Sequence, residues 1–462
     1  MKQKGILLPI FSLPSKHGIG DFGNEAYKFI DILSKNKIQY WEILPITATE
    51  KYPYSPQSYY ALNTDYISVD KLKEMNLLEN IVDDEITSKK TLLSENIQAN
   101  YKEIKEKYYK KAYSNFKPTE EYCKFKENKK IIEYAKYIEK HTETDIDYTF
   151  FLQYILDKQW NELKEYANSK SVKIIGDMPI YPNFNSAEVE NNPSCFQLKN
   201  GKMEYISGVP SDIYNQDGQI WGTPVYDCNY LKDNNYTYLV ERYKEFLKRF
   251  DIVRIDHFIG YDLYYKIPIN KTVNEGIYEK GPSYSFFDEL LKISSVENFI
   301  VEDLGLVKDS TIKLRENYGF LGSAILQEIF DKKLHCNKVN DCDKVNNIDD
   351  CNSDFENKVL YTGTHDCNTI VGWYKSLKLQ DKKKLRNVLK REKCNDFKIN
   401  KSIMKYCMKS KAEIVILPLQ DVLGLGENAR INVPGKMLKE NWSWMLQGLE
   451  EVEKEVRYFG KL

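Results

Sequence analysis

Arg254, Ile255, Asp256, His257 and Phe258 place a carboxylate between an arginine and a histidine. They close the short apolar run Phe250-Asp-Ile-Val-Arg-Ile, which reads as a buried strand. Charged groups in apolar surroundings cost several kcal/mol unless they are paired. A strand that delivers such a cluster at its C-terminal end is suited to chemistry that needs negative charge. Two more runs end in the same way: Asn298-Phe-Ile-Val delivers Glu302, and Lys358-Val-Leu-Tyr-Thr-Gly-Thr delivers His365 and Asp366. Any one of these acids could simply cap a helix or meet solvent. Three at strand ends, two of them beside histidines, point to a catalytic set.

Paired carboxylates with opposite roles are the usual means of breaking a glycosidic bond. The nucleophile must be ionised, and Arg254 is placed to keep Asp256 so, because residues two apart share a strand face. The acid/base must hold a proton until the leaving oxygen takes it, and Glu302 on the next apolar strand fits that role. A separation of ~5 Å, as in retaining enzymes, is expected between adjacent strand ends. Asp366 with His365 would clamp sugar hydroxyls.

These acids require a scaffold that gathers strand ends. Eight short runs rich in Ile, Val and Leu occur in order: Gly5–Phe11, Gln39–Pro45, Val172–Met178, Phe250–Asp256, Asn298–Glu302, Ser323–Gln327, Lys358–Thr362 and Glu413–Leu419. Near-continuous apolar runs suit strands covered on both faces. Helical spacing separates several of them, as in Asn24-Glu-Ala-Tyr-Lys-Phe-Ile-Asp-Ile-Leu and Tyr238-Leu-Val-Glu-Arg-Tyr-Lys-Glu-Phe-Leu. Eight β/α alternations predict an α/β protein, a (β/α)8 TIM barrel spanning 1–462, with catalytic residues at the C-terminal strand ends. Two connections are long. The one at 46–171 is Lys/Glu-rich and helical over 72–141. The one at 181–235 is rich in Pro, Gly, Asn and aromatics and reads as an irregular wall or lid over the cleft. Gly424-Leu-Gly-Glu-Asn-Ala429 imitates a dinucleotide fingerprint, but too little chain follows it for that fold.

Bulk properties narrow the function. The 462 residues carry 67 Lys+Arg against 68 Asp+Glu, so no global basic excess favours nucleic acid or an anionic membrane. No apolar stretch is long enough for a membrane span, and Pro9 interrupts the N-terminal apolar run before it could form a signal core. A cytoplasmic location is expected. The nine cysteines are odd in number and lack a C-x-x-C pair, so neither a disulfide framework nor a metal site is expected. Cys336, Cys342 and Cys351, near His335, fit no common metal spacing. The 35 tyrosines, 20 phenylalanines and 6 tryptophans suit sugar stacking, though a compositional bias would supply them equally well.

More specific motifs run along almost the whole chain. They include Gly5-Ile-Leu-Leu, Ser12-Leu-Pro-Ser, Gly18-Ile-Gly-Asp, Tyr54-Ser-Pro and Gly176-Asp-Met-Pro-Ile-Tyr. Gly208-Val-Pro, Gly218-Gln-Ile-Trp-Gly, Arg254–Phe258, Glu302-Asp-Leu-Gly and Thr364-His-Asp follow, then Ala429-Arg-Ile-Asn-Val-Pro-Gly and Asn441-Trp-Ser-Trp. In this order they resemble the amylomaltases, the bacterial 4-α-glucanotransferase family of the α-amylase superfamily. The resemblance implies Asp256 as nucleophile, Glu302 as acid/base and Asp366 as transition-state stabiliser. It implies that Arg254, His365 and Asp177 support them, and that Tyr54, Ser55, Tyr214, Gln219, Trp221 and Asn432 line a cleft for α-1,4-glucans. No metal or organic cofactor is implied, and the oligomeric state is left open. The chain departs from the family pattern at Glu190, Asn191, Thr223, Cys228, Cys367, Asn368 and Met445; Thr223, Cys228, Cys367 and Asn368 are expected near cleft loops. A mainly hydrolytic enzyme on the same scaffold and a catalytically weak glucan-binding protein are the alternatives.

Overall fold

The computed structural model describes residues 2–50, 52–79, 96–211, 217–335 and 353–462. Its centre is an eight-stranded parallel sheet: β1 (Gln3–Leu7), β2 (Tyr40–Glu42), β3 (Lys173–Met178), β4 (Ile252–Ile255), β5 (Phe299–Val301), β6 (Gly322–Ile325), β7 (Lys358–Tyr361) and β8 (Ile414–Pro418). The strand order is β5-β4-β3-β2-β1-β8-β7-β6. A parallel bridge between Ile300 and Leu321 joins the two end strands and closes the ring. All eight expected runs supply a strand. The first is shorter than expected: Pro9 has no N–H for the ladder, and the chain turns into a 3-10 helix over Ile10–Ser12.

Alternation along the strands separates two apolar regions. Leu7, Tyr40, Ile175, Ile252, Ile300, Val359, Tyr361, Ile414 and Ile416 pack together in the barrel lumen. The outward residues join a much larger core with the surrounding helices. Helix α1 (Asn24–Lys35) buries Ala26, Phe29, Ile30 and Leu33, the three-and-four spacing of its sequence. Helix α2 (Ile146–Ser169) precedes β3 and buries Trp160, whose indole N–H donates to the Arg249 carbonyl at 3.2 Å. Helix α3 (Thr237–Arg249) precedes β4 and buries Tyr238, Leu239, Tyr243 and Phe246 together with two arginines, Arg242 and Arg249. Gly176 lets the Phe250 ring sit against β3, since a Cβ there would lie 2.2 Å from that ring.

Between β2 and β3 the chain also forms the helices Val69–Glu74, Asn96–Asn115, Glu120–Phe125 and Lys129–Thr142. The stretch after β3 differs from its sequence reading. In place of an irregular wall, Tyr205–Val209 and Gln219–Pro224 pair antiparallel and join a four-stranded sheet with Leu263–Pro268 and Ile277–Lys280. Ser207, Gly208, Gly222 and Thr223 interrupt these strands, so neither shows the continuous apolar run that marks the barrel strands. Their register shifts between Ile206 and Gly208, and the partner strands come from beyond β4. Cys123, Cys195, Cys228, Cys367, Cys394 and Cys407 are free thiols, while Cys336, Cys342 and Cys351 lie outside the described residues.

Candidate active site

Asp256 is the first residue beyond β4 and Glu302 the first beyond the neighbouring β5. The backbone locks the two ends together. The Glu302 N–H donates to the Ile255 carbonyl at 3.0 Å, and the Phe258 N–H donates to the Glu302 carbonyl at 3.0 Å. Between them His257 takes a left-handed conformation with φ of 49°. That conformation costs a non-glycine residue about 1–2 kcal/mol. It aims the His257 N–H at Glu302 Oε2, 2.7 Å away.

Arg254 lies beneath this pair, 3 % exposed, and its charge is shared. Its Nη1 lies 2.7 and 2.8 Å from the two oxygens of Asp177, at the end of β3. Asp256 Oδ1 is 3.3 Å from Nη1, and Glu302 Oε2 is 3.4 Å from Nη2. Asp177, 1 % exposed, also accepts the Tyr54 hydroxyl at 2.5 Å. The principal partner of Arg254 is therefore Asp177, not Asp256.

This division of charge acts on the two carboxyls in opposite directions. Burial, then the charges of Glu302 and Asp177, raises the Asp256 carboxyl well above the usual aspartate range, with Arg254 pulling against them. Burial pushes Glu302 up as well, but Arg254 and the His257 N–H outweigh it and leave Glu302 below its ordinary value. The two carboxyls act on each other directly, each one's charge opposing ionisation of the other. Burial lowers the His257 imidazole to about 4, so the ring is neutral at physiological pH. Burial and the Asp177 charge raise the Tyr54 phenol well above its ordinary range, keeping it a donor.

Asp366 follows β7 on the opposite side. Asn432 Nδ2 donates to its Oδ1 at 2.6 Å, and Arg430 holds its carbonyl at 2.6 Å. The Asn432 N–H donates to the His365 carbonyl at 3.1 Å, so one loop braces both residues of the pair. The His365 ring stacks on Tyr54, with centroids 4.9 Å apart and planes 20° apart.

A cleft of about 670 Å³ opens above these groups, a size suited to a small ligand or part of a chain. Tyr54, Ser55, Gln219, Trp221, Asp256, Glu302, His365, Asp366 and Asn432 all line it. Arg254 and Asp177 are buried below its floor and position the lining groups from behind. Tyr214 lies outside the described residues. Trp221 sets its ring edge-on to His257, with centroids 4.7 Å apart and planes at 87°, and donates to Gln219 Oε1 at 3.0 Å. Of the four departures expected near cleft loops, only Thr223 lines the cleft. Cys228 opens the helix Cys228–Asp233, and Cys367 and Asn368 border a very small separate cavity. Glu190 pairs on the surface with Lys140 at 3.0 Å and His141 at 2.8 Å.

Several residues at or below the cleft escaped the sequence reading as site residues, His257, Trp442 and Glu42 among them. His257 stood inside the Arg254–Phe258 motif, and Trp442 inside Asn441-Trp-Ser-Trp. Trp442 lines the cleft with its ring 5.8 Å from that of His365. Glu42 ends β2, so it carried the same strand-end signal as the other acids.

Comparison with known proteins agrees with this geometry. A family model described as 4-alpha-glucanotransferase matches residues 8–141 and 98–450. The 4-alpha-glucanotransferase of Clostridium butyricum is 36% identical, covering 94% of this chain and 94% of that protein. The enzyme of the same name from Aquifex aeolicus is 31% identical over 100% of this chain and 98% of its own. Among solved structures, an amylomaltase from Streptococcus agalactiae in complex with acarbose superposes with a TM-score of 0.88 at 29% identity, covering 99% of this chain and 98% of that one. The strand-end acids stand on a closed parallel barrel, and the similarity extends along the full chain; the chain belongs to the 4-alpha-glucanotransferases of glycoside hydrolase family 77.

Proposed function

We propose that this protein transfers α-1,4-glucan segments to the 4-hydroxyl of an acceptor glucan or glucose by a retaining double displacement. The observation that carries the reading is the Asp256–Glu302 pair, two carboxyls at neighbouring strand ends that both approach Arg254. In the first step Asp256 attacks the anomeric carbon, the bond to the leaving oxygen breaks, and Glu302 gives that oxygen a proton. In the second step the acceptor hydroxyl gives its proton to Glu302 while its oxygen displaces Asp256. Two inversions restore the α configuration.

At the first step Glu302 must hold a proton and Asp256 must be ionised. A donor glucan supplies the reason: its leaving oxygen accepts a hydrogen bond from the protonated form of Glu302, and positive charge developing on the sugar favours ionised Asp256. Asp366, aimed by Asn432, binds sugar hydroxyls, and these bonds tighten as that charge grows. The insertions at 46–171 and 181–235 act as cleft walls, contributing Tyr54 and Ser55 from one side and Gln219 and Trp221 from the other. Transfer has to outcompete about 55 M water, so the walls must exclude water while placing the acceptor. Maltooligosaccharides, amylose and glycogen-derived dextrins are the proposed substrates, in a cytoplasmic maltodextrin or glycogen metabolism. Among the described residues no helix is long and apolar enough to cross a membrane.

Incubation with maltotriose tests the reading. Transfer yields glucose together with a ladder of longer maltooligosaccharides. Glucose and maltose with nothing longer than the substrate would make the enzyme a hydrolase, and no product from any glucan would leave a binding protein.

A further inference from the structure

The barrel lumen holds one more acid below the cleft. Glu42, 1 % exposed, ends β2 and lies opposite Ile175 of β3, two residues short of Asp177. The Tyr361 hydroxyl, at the end of β7, donates to Glu42 Oε2 at 2.9 Å across the lumen. Asp177 on β3 and Arg254 on β4 are the charged groups that act on it. The lumen residues of β1 and β8 beside it, Leu7 and Ile416, are apolar. Arg254 pairs with Asp177, Asp256 and Glu302, and makes no ion pair with Glu42.

An ionised Glu42 would be a fourth carboxylate dependent on one guanidinium. We propose that Glu42 is a positioning residue for the transfer reaction: as a neutral acid it fills the lumen beside Arg254 and leaves the guanidinium to Asp177, Asp256 and Glu302, and when it loses its proton it competes for that guanidinium. The inference rests on the glucanotransferase reading above. Burial raises the Glu42 carboxyl to about 7, against Arg254 and the Tyr361 hydrogen bond and with the help of the Asp177 charge. Glu42 is thus neutral below that pH and ionises above it, so its competition for Arg254 belongs to the alkaline side of the pH profile.

The test is kcat for maltotriose transfer, measured from about pH 5.5 to about pH 9 in the wild type, Glu42→Gln and Tyr361→Phe. Glutamine still accepts the Tyr361 proton but cannot ionise. Its alkaline limb should lie higher, retaining at least about threefold more of its maximal kcat than the wild type at the alkaline end. Tyr361→Phe removes a hydrogen bond that favours the ion, so its limb should also move up, by less. A Glu42→Gln profile parallel to the wild type, or lowered equally at every pH, would overturn the proposal. Should Glu42→Gln fail to fold, an unmoved limb in Tyr361→Phe would overturn it instead. A wild type without transfer would overturn the parent reading, an outcome visible before any variant is made.

Discussion

The floor of the cleft and its rim are built in different ways. On the floor, Asp177, Asp256 and Glu302 share Arg254, and Tyr54 and the His257 N–H complete the hydrogen bonding. All of these groups except Tyr54, which reaches in from the connection after β2, stand on or beside a barrel strand end, where the closed ring fixes their position. The rim carries apolar side chains that face solvent: Ile220 is 49 % exposed and Met437 77 %, and both line the cleft. They come from the second sheet and from the segment after β8, which the barrel ladder does not hold. The floor is preorganised for chemistry, and the rim offers apolar surface that a bound ligand would cover.

If this contrast is right, damage to the floor costs turnover or folding and damage to the rim costs affinity. The largest loss is expected from Asp256→Asn or Glu302→Gln, which should reduce transfer at least about 10⁴-fold in a product-ladder assay while the circular dichroism stays native. Arg254→Met leaves Asp177 buried without its cation, and should lower stability by about 3–5 kcal/mol in urea unfolding. Asn432→Ala removes a charge-assisted bond to Asp366, and should lower kcat by about 10- to 100-fold with less change in KM.

The rim gives smaller effects of another kind. Trp221→Ala should raise KM about tenfold and release more glucose by hydrolysis relative to transfer, as the ring is a large part of the wall beside His257. Met437→Ala should raise KM only about two- to threefold, read as initial rates against maltotriose concentration. A kcat collapse in either rim variant, with KM unchanged, would erase the distinction between the two regions.

The same distinction governs how much could be read from the sequence. The floor was legible because buried parallel strands are short apolar runs, and an acid at the end of such a run is conspicuous. Arg254 and Asp256 share a face by simple alternation. What alternation cannot show is that Arg254 bonds chiefly to Asp177, 77 residues earlier. Glu42 was visible at the end of its run, but its importance depends on Tyr361, which meets it only when the ring closes. The rim was harder. Tyr205–Val209 is buried along its middle but carries Ser207 and Gly208, Gln219–Pro224 is partly exposed, and their sheet partner Leu263–Pro268 lies after the fourth barrel strand. Cys367 and Asn368 sit beside Asp366 in sequence yet border a different cavity.

The most direct test of the central claim is to trap the intermediate. Glu302→Gln, incubated with an α-maltosyl fluoride whose leaving group needs no acid, should accumulate a glycosyl adduct. Peptide mass spectrometry should place that adduct on the fragment containing Asp256. Turnover of the fluoride with inverted anomeric configuration and no adduct, or an adduct on any other carboxylate, would contradict the account.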